Sequence, residues 1–213
     1  MMDYIHAAFF RSWLALDFAP GDAVIQIENI QRAEARNRIT RSFLTNYPDH
    51  NWLLWLDSDM DYPPDVASKL IRHGHFIVQG AYAGRREPYP AFAFVNPHQD
   101  DNGKTWFDSI SPLPRKGLIK LDSVATGCLL VHRTVFETVP YPWFSYQHAG
   151  TEDTDFSVSC KQAGFSMWLD PAVCCGHYFM ARSLPKYEGD EDANSGQETD
   201  TDVPYAKAGG PGV

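Results

Sequence analysis

Asp57, Asp59 and Asp61 stand at alternate positions directly after the apolar run Trp52-Leu53-Leu54-Trp55-Leu56. Five large apolar residues bounded by polar sequence predict a strand covered on both faces, as in the middle of a parallel sheet. Ligands of open α/β sheets bind at the carboxyl ends of such strands. Carboxylates at i and i+2 can converge on one hard cation such as Mg2+ or Mn2+, and a cation there can hold a diphosphate. The same residues also suit a solvated turn. They imitate positions 1, 3 and 5 of a calcium loop, but position 6 is Tyr62 instead of Gly and position 12 is Ser68 instead of Glu, so that reading fails. A phosphatase-type Asp-x-Asp nucleophile stays open, although its accompanying Lys and Asp motifs cannot be placed.

A second acidic group, Glu152, Asp153 and Asp155, crowds the start of a predicted helix. There the macrodipole favours negative charge by ~0.3 to 1 kcal/mol each, which alone is a sufficient structural reason for them. Three neighbouring carboxylates also repel one another, raise at least one pKa, and so suit acid/base work. His177, in Cys174-Cys175-Gly176-His177-Tyr178, is read either as a structural residue or as a ligand. Arg36 and Asn37 fit a helix-surface pair or a phosphate contact. Arg85-Arg86 fits a solvated loop or a diphosphate contact. Trp143, Phe144, Tyr146 and His148 fit a packed loop, an acceptor platform or a lid.

These residues need a frame. Ile5, Phe9, Trp13 and Leu16 predict a helix over 3 to 18, and Val24 to Glu28 a short strand after Pro20-Gly21-Asp22. Ala35, Ile39 and Phe43 predict a helix over 31 to 46, closed by Pro48. The acidic strand occupies 52 to 57, Pro63-Pro64 opens a helix to about His73, and Phe76 to Gln79 forms the next strand. That alternation indicates an α/β sheet with parallel pairs. From Gly80 to Leu121, short aromatic and proline-rich pieces suggest antiparallel hairpins, including Tyr89 to Val95 and Thr105 to Phe107 around a loop at Pro97 to Gly103. Val124 to His132 reads as a strand, Thr151 to Ala163 as a helix capped by Gly164, and Met167 to Leu169 as a final strand.

The length of 213 residues and 44% apolar content fit one domain with a sizeable core. Residues 1 to 185 hold 16 basic and 20 acidic residues, whereas 186 to 213 hold 2 and 7, so the net charge of -9 comes mostly from the tail. That division gives a single domain over 1 to 185 and an acidic, disordered tail over 186 to 213. A basic stripe for tight non-specific nucleic-acid binding is missing. No apolar run approaches the ~20 residues of a membrane span and no signal-peptide pattern is visible, so the expectation is a soluble cytoplasmic protein, or one in the host cytoplasm if viral. Cys128, Cys160, Cys174 and Cys175 have no Cys-x-x-Cys spacing and are expected as buried free thiols.

Taken in order, Ala35-Arg36-Asn37, Leu56-Asp57-Ser58-Asp59, Asp122 to Cys128, Thr151 to Phe156 and Gly176-His177 resemble the motif series of GT-A-fold glycosyltransferases related to glycosyltransferase family 2. The resemblance spans roughly residues 4 to 180. It implies a GT-A-like, Rossmann-like mixed sheet flanked by helices and a metal-dependent transfer of sugar from a nucleotide-sugar donor to an acceptor hydroxyl. It implies Asp59 as a metal ligand, Asp57 as a metal or ribose contact, and His177 as the third ligand, with Mn2+ preferred over Mg2+ because imidazole suits manganese better. Asp153, then Glu152, are implied as the catalytic base. Arg36, Asn37, Arg85, Thr126 and Gly127 are implied near the nucleotide or the sugars. The family ordinarily begins with a strand whose following loop contacts the base, and this chain begins in the helix expected after it. Either a segment precedes this sequence or the fold is an economical version lacking its first strand. A nucleotidyltransferase or phosphohydrolase on the same acidic site, and a non-catalytic nucleotide- or carbohydrate-binding module, are the competing classes. The acceptor is a glycan, small molecule, protein or modified nucleic acid.

Overall fold

The computed structural model describes residues 5–190, apart from 86, 102, 104, 148–149 and 179–181. In chain order it comprises α1 (Ala7–Leu14), α2 (Arg32–Asn46), β1 (Trp52–Leu56), β2 (Met60–Asp61), α3 (Val66–Ile71), β3 (Ile77–Ala81), β4 (Phe94–Gln99) and β5 (Thr105–Ser109). There follow β6 (Ile119–Leu121), β7 (Cys128–His132), α4 (Arg133–Thr138), α5 (Glu152–Gln162), β8 (Met167–Cys174), β9 (Gly176–Tyr178) and β10 (Arg182–Ser183).

Five strands form a mixed sheet in the order β1-β7-β3-β8-β6. The β3–β8 pair is parallel, and β7 runs antiparallel to both β1 and β3. Alternation of side chains builds two cores on the two faces. Trp55, Ile77, Leu129, Val131 and Leu169 meet Phe43 of α2, Val135 and Phe136 of α4, and Phe156 of α5. Val78, Leu130 and Val173 meet Met60, Tyr62, and Val66 and Leu70 of α3. The architecture is therefore a mixed α/β fold with helices on both sides of the sheet.

The acidic strand β1 contributes to both cores, as its apolar run requires, but it lies at an edge of the sheet and its neighbour is antiparallel. The expected place in the middle of a parallel sheet is thus corrected. Residues 24–28 are not a strand. Ile25 and Ile27 are partly covered and Val24, Gln26 and Glu28 are exposed, the alternation a strand would show, yet no described strand pairs with them. The first helix is shorter than expected and leaves Ile5 exposed, with His6 Nδ1 accepting from the Ala8 N–H at 3.2 Å as its cap.

Helix α2 turns a polar stripe inward. Ala33, Arg36, Asn37, Thr40 and Phe43 are buried, whereas Ala35 and Ile39 are only half-buried. The 80–121 region forms the expected antiparallel hairpin, but as β4 and β5, with its first strand shifted to Phe94–Gln99. The strand expected from Val124 begins only at Cys128. The tail boundary also moves. Leu113 N–H donates to Lys186 O at 2.8 Å, Glu188 N–H donates to Leu113 O at 2.9 Å, and the Tyr187 hydroxyl donates to Pro171 O at 2.9 Å, so residues 186–190 are packed on the body. Residues 191–213 lie outside the described residues. The four cysteines are free thiols, three of them buried. Among the described residues no helix is long and apolar enough to cross a membrane.

Candidate active site

Where β1 ends, the Asp57 N–H donates to Gly127 O at 3.1 Å, which ties the acidic turn to the start of β7. The three alternating carboxylates then part company. Asp61 accepts from the Gly176 N–H at 2.6 Å and the Tyr178 hydroxyl at 3.0 Å, so it fastens β2 to β9. Asp59 faces His177, which stands opposite Met60 in the β2–β9 pair. Its Oδ2 lies 3.7 Å from His177 Nε2 and 2.9 Å from an Arg85 guanidinium nitrogen. Burial pushes the Asp59 pKa up, but His177 and Arg85 outweigh it and hold the carboxyl below the usual range. Asp57 instead points toward Arg36, with Oδ1 at 3.6 Å.

The expected three-residue metal set of Asp57, Asp59 and His177 is therefore not assembled. Among the described residues no three His, Cys, Asp or Glu side chains gather closely enough to hold an ion. Asp59 and His177 do come together, and their chemistry fits a cation. His177 Nδ1–H donates to Ala83 O at 2.8 Å, which turns Nε2 toward Asp59. A carbonyl that fixes the tautomer in this way is the usual support of a ligating histidine.

The second half of the site is a knot of charge between the first turns of α2 and α5. The Arg36 side chain is 10% exposed and stands among Asp57 at 3.6 Å, Glu152 at 3.6 Å and Asp153 at 3.7 Å. Burial alone would lower the Arg36 pKa, but Asp57, Asp153 and Glu152 together raise it. Glu152 is buried at 1% exposure and also lies 3.5 Å from Arg32. Arg36 Nε and Glu152 Oε1 are both buried and face each other at 3.6 Å, an ion pair just beyond hydrogen-bond reach. Asp153 retains 21% exposure of its side chain. Its pKa is pushed up to about 6, first by burial and then by Glu152 and Asp57, against the opposing pull of Arg36 and Thr126.

Other expected contacts have structural work. Asn37 Nδ2 donates to Phe144 O at 2.8 Å, and its Oδ1 accepts from the Phe144 N–H at 3.1 Å, so it clasps the loop before α5 instead of facing a nucleotide. Gly127 is required by close packing, since a Cβ there would lie 2.7 Å from Met60 Sδ and 2.9 Å from the Tyr82 hydroxyl. Thr126 is fully buried and donates its hydroxyl to Asp153 Oδ1 at 2.8 Å. Asp155 receives Ser145 Oγ and the Gln147 N–H, which anchors the same loop. Trp143 and Phe144 belong to the core and form no platform, whereas Tyr146 is 42% exposed. His148 and Arg86 lie outside the described residues.

Sequence reasoning missed Gln79, Tyr82 and Ser157. Gln79 is wholly buried on β3, donating to Phe92 O at 2.6 Å and accepting from the Ala125 N–H at 2.8 Å. A lone amide inside the apolar strand Phe76-Ile77-Val78-Gln79-Gly80-Ala81 was the available signal.

No family model matches this chain. A vanadate resistance protein of Candida albicans is 25% identical over 191 residues, covering 73% of this chain and 42% of that protein. The chain thus spans about two fifths of that relative's length. Among solved structures, A197 from STIV aligns with a TM-score of 0.56 and 17% identity, over 76% of each chain. The two share a GT-A-like fold. This chain is distantly similar to glycosyltransferase-like proteins.

Proposed function

We propose that the protein is a metal-dependent glycosyltransferase that moves a sugar from a nucleotide-sugar donor to an acceptor hydroxyl. The observation that carries this reading is the pairing of two unlike sites at the end of β1. One is a carboxylate–imidazole couple, Asp59 and His177, flanked by Arg85. The other is a partly exposed carboxylate, Asp153, with a pKa near 6. Distant similarity to glycosyltransferase-like proteins supports the same class.

Asp59 and His177 would hold the divalent cation, with Mn2+ preferred over Mg2+ because one ligand is an imidazole. Two protein ligands suit an ion that completes its shell with phosphate oxygens and water. When bound, the cation supplies Lewis-acid stabilisation of the departing diphosphate. Arg85 contributes a guanidinium beside the same place, matched to phosphate oxygens. Asp153 takes the proton of the acceptor hydroxyl as its oxygen bonds to the anomeric carbon and the bond from that carbon to the diphosphate oxygen breaks. A base with a pKa near 6 is ionised at neutral pH yet still basic enough to accept that proton. Glu152, buried between two arginines, serves to hold Arg36 and with it the shape of the site.

The two halves separate experimentally. His177→Ala abolishes Mn2+-dependent binding of nucleoside diphosphate by calorimetry, whereas Asp153→Asn leaves that binding intact and lowers transfer by ~100-fold or more. Retained metal-dependent binding in His177→Ala, or a normal transfer rate in Asp153→Asn, contradicts the assignment.

A further inference from the structure

Four consecutive backbone N–H groups between β6 and β7 are each received by a side chain from elsewhere in the chain. Val124 donates to Ser157 Oγ at 3.0 Å and Ala125 to Gln79 Oε1 at 2.8 Å. Thr126 donates to Asp153 Oδ2 at 3.4 Å and Gly127 to the Tyr82 hydroxyl at 2.9 Å. A buried stretch outside a ladder must satisfy its backbone in some way, and here one side chain does so for each residue. The pins are themselves fixed. Ser157 Oγ donates to Asp153 O at 2.7 Å, and Gln79 is held at its other end by Phe92 O.

The consequence falls on Asp153. Thr126 grips both of its carboxylate oxygens, Oδ1 through the hydroxyl and Oδ2 through the backbone. The cap of α5 does not orient that carboxylate, because Thr151 Oγ1 accepts from the Thr154 N–H. We propose that residues 124–127 form a template that aims Asp153 at the acceptor, with Thr126 as the positioning residue and Gln79 and Ser157 holding Thr126 in place. This rests on the reading of Asp153 as the base of glycosyl transfer. Two occupied oxygen directions leave a restricted set of lone pairs for the incoming hydroxyl, which is how a base gains orientation. The charged and titratable groups around Asp153 are Arg36 from α2, Glu152 beside it on α5, Asp57 at the end of β1 and Tyr82 after β3. Thr126 adds a neutral donor that favours the ionised carboxylate.

The test uses the full chain with Thr126→Val, which keeps the shape and removes the hydroxyl, and Thr126→Ser, which keeps the donor. Thr126→Val lowers kcat by about tenfold to a hundredfold with donor KM unchanged. It also moves the acid limb of the pH profile up by about one unit, the size of one lost hydrogen bond to a charged group. Thr126→Ser restores both. Carbon NMR titration of the Asp153 carboxyl shows the same upward shift independently of turnover. Identical Asp153 titration in wild type and Thr126→Val, or a change in KM alone, overturns the proposal. If Thr126→Val does not melt cooperatively, Ser157→Ala must show the same signature, and its absence overturns the proposal equally. Should the wild type turn over no nucleotide sugar, the glycosyl-transfer reading fails while the titration still decides whether Thr126 positions Asp153.

Discussion

At the residue scale, Asp153 sets stability against the proposed chemistry. Its folded pKa of about 6 lies above the ordinary carboxylate value, so the folded state binds the proton more tightly than the unfolded chain. Its contribution is most favourable below about pH 4 and is lost as pH rises through about 6. Asp153→Asn should therefore stabilise the fold at pH 8 by on the order of 2 kcal/mol, raising the melting temperature there, and leave it nearly unchanged at pH 4. Thermal melts at the two pH values check this. Gly127→Ala should act in the opposite sense, losing ~1 to 3 kcal/mol as its Cβ meets Met60 and Tyr82, which a denaturant titration reads directly. Asp59, His177 and Asp153 stood out in the sequence by their place in the motif order, since a solvated turn, a structural histidine and the helix dipole account for the same residue types one at a time; the structure brings Asp59 beside His177. Gln79, Tyr82 and Ser157 were not, because they act by holding backbone, and backbone looks the same under every sequence.

At the scale of elements, the sequence states which faces are covered and leaves open which edges are paired. The apolar run of β1 correctly announced two covered faces. Its edge position was invisible, since strand pairing uses N–H and C=O groups that every residue carries. The same gap explains residues 24–28, which alternate like a strand but lack a partner among the described residues. Helix α2 was placed correctly, yet its inward face was misread, because periodicity counts apolar residues while Arg36 and Asn37 are buried for their partners. Asn37 links α2 to the loop before α5 through both backbone groups of Phe144. Asn37→Ala leaves those buried groups unpaired and should cost ~1 to 3 kcal/mol, a drop of several degrees in Tm. Unchanged Tm would show that the clasp is dispensable.

For the whole molecule, the fold brings two sites from distant parts of the chain to one end of a sheet. Asp59 and His177 meet through the β2–β9 pair, and Arg36 and Asp153 meet where the first turns of α2 and α5 converge. The mixed sheet and its GT-A-like likeness to A197 fit the motif order, while the donor, acceptor and metal belong to the proposal. The most direct measurement is incubation of the protein with UDP-, GDP- and TDP-sugars, with and without Mn2+, followed by mass spectrometry. The expected result is Mn2+-dependent release of nucleoside diphosphate, with the sugar transferred to water or to an added acceptor. Release of pyrophosphate or inorganic phosphate instead, or binding with no turnover across the panel, would contradict it.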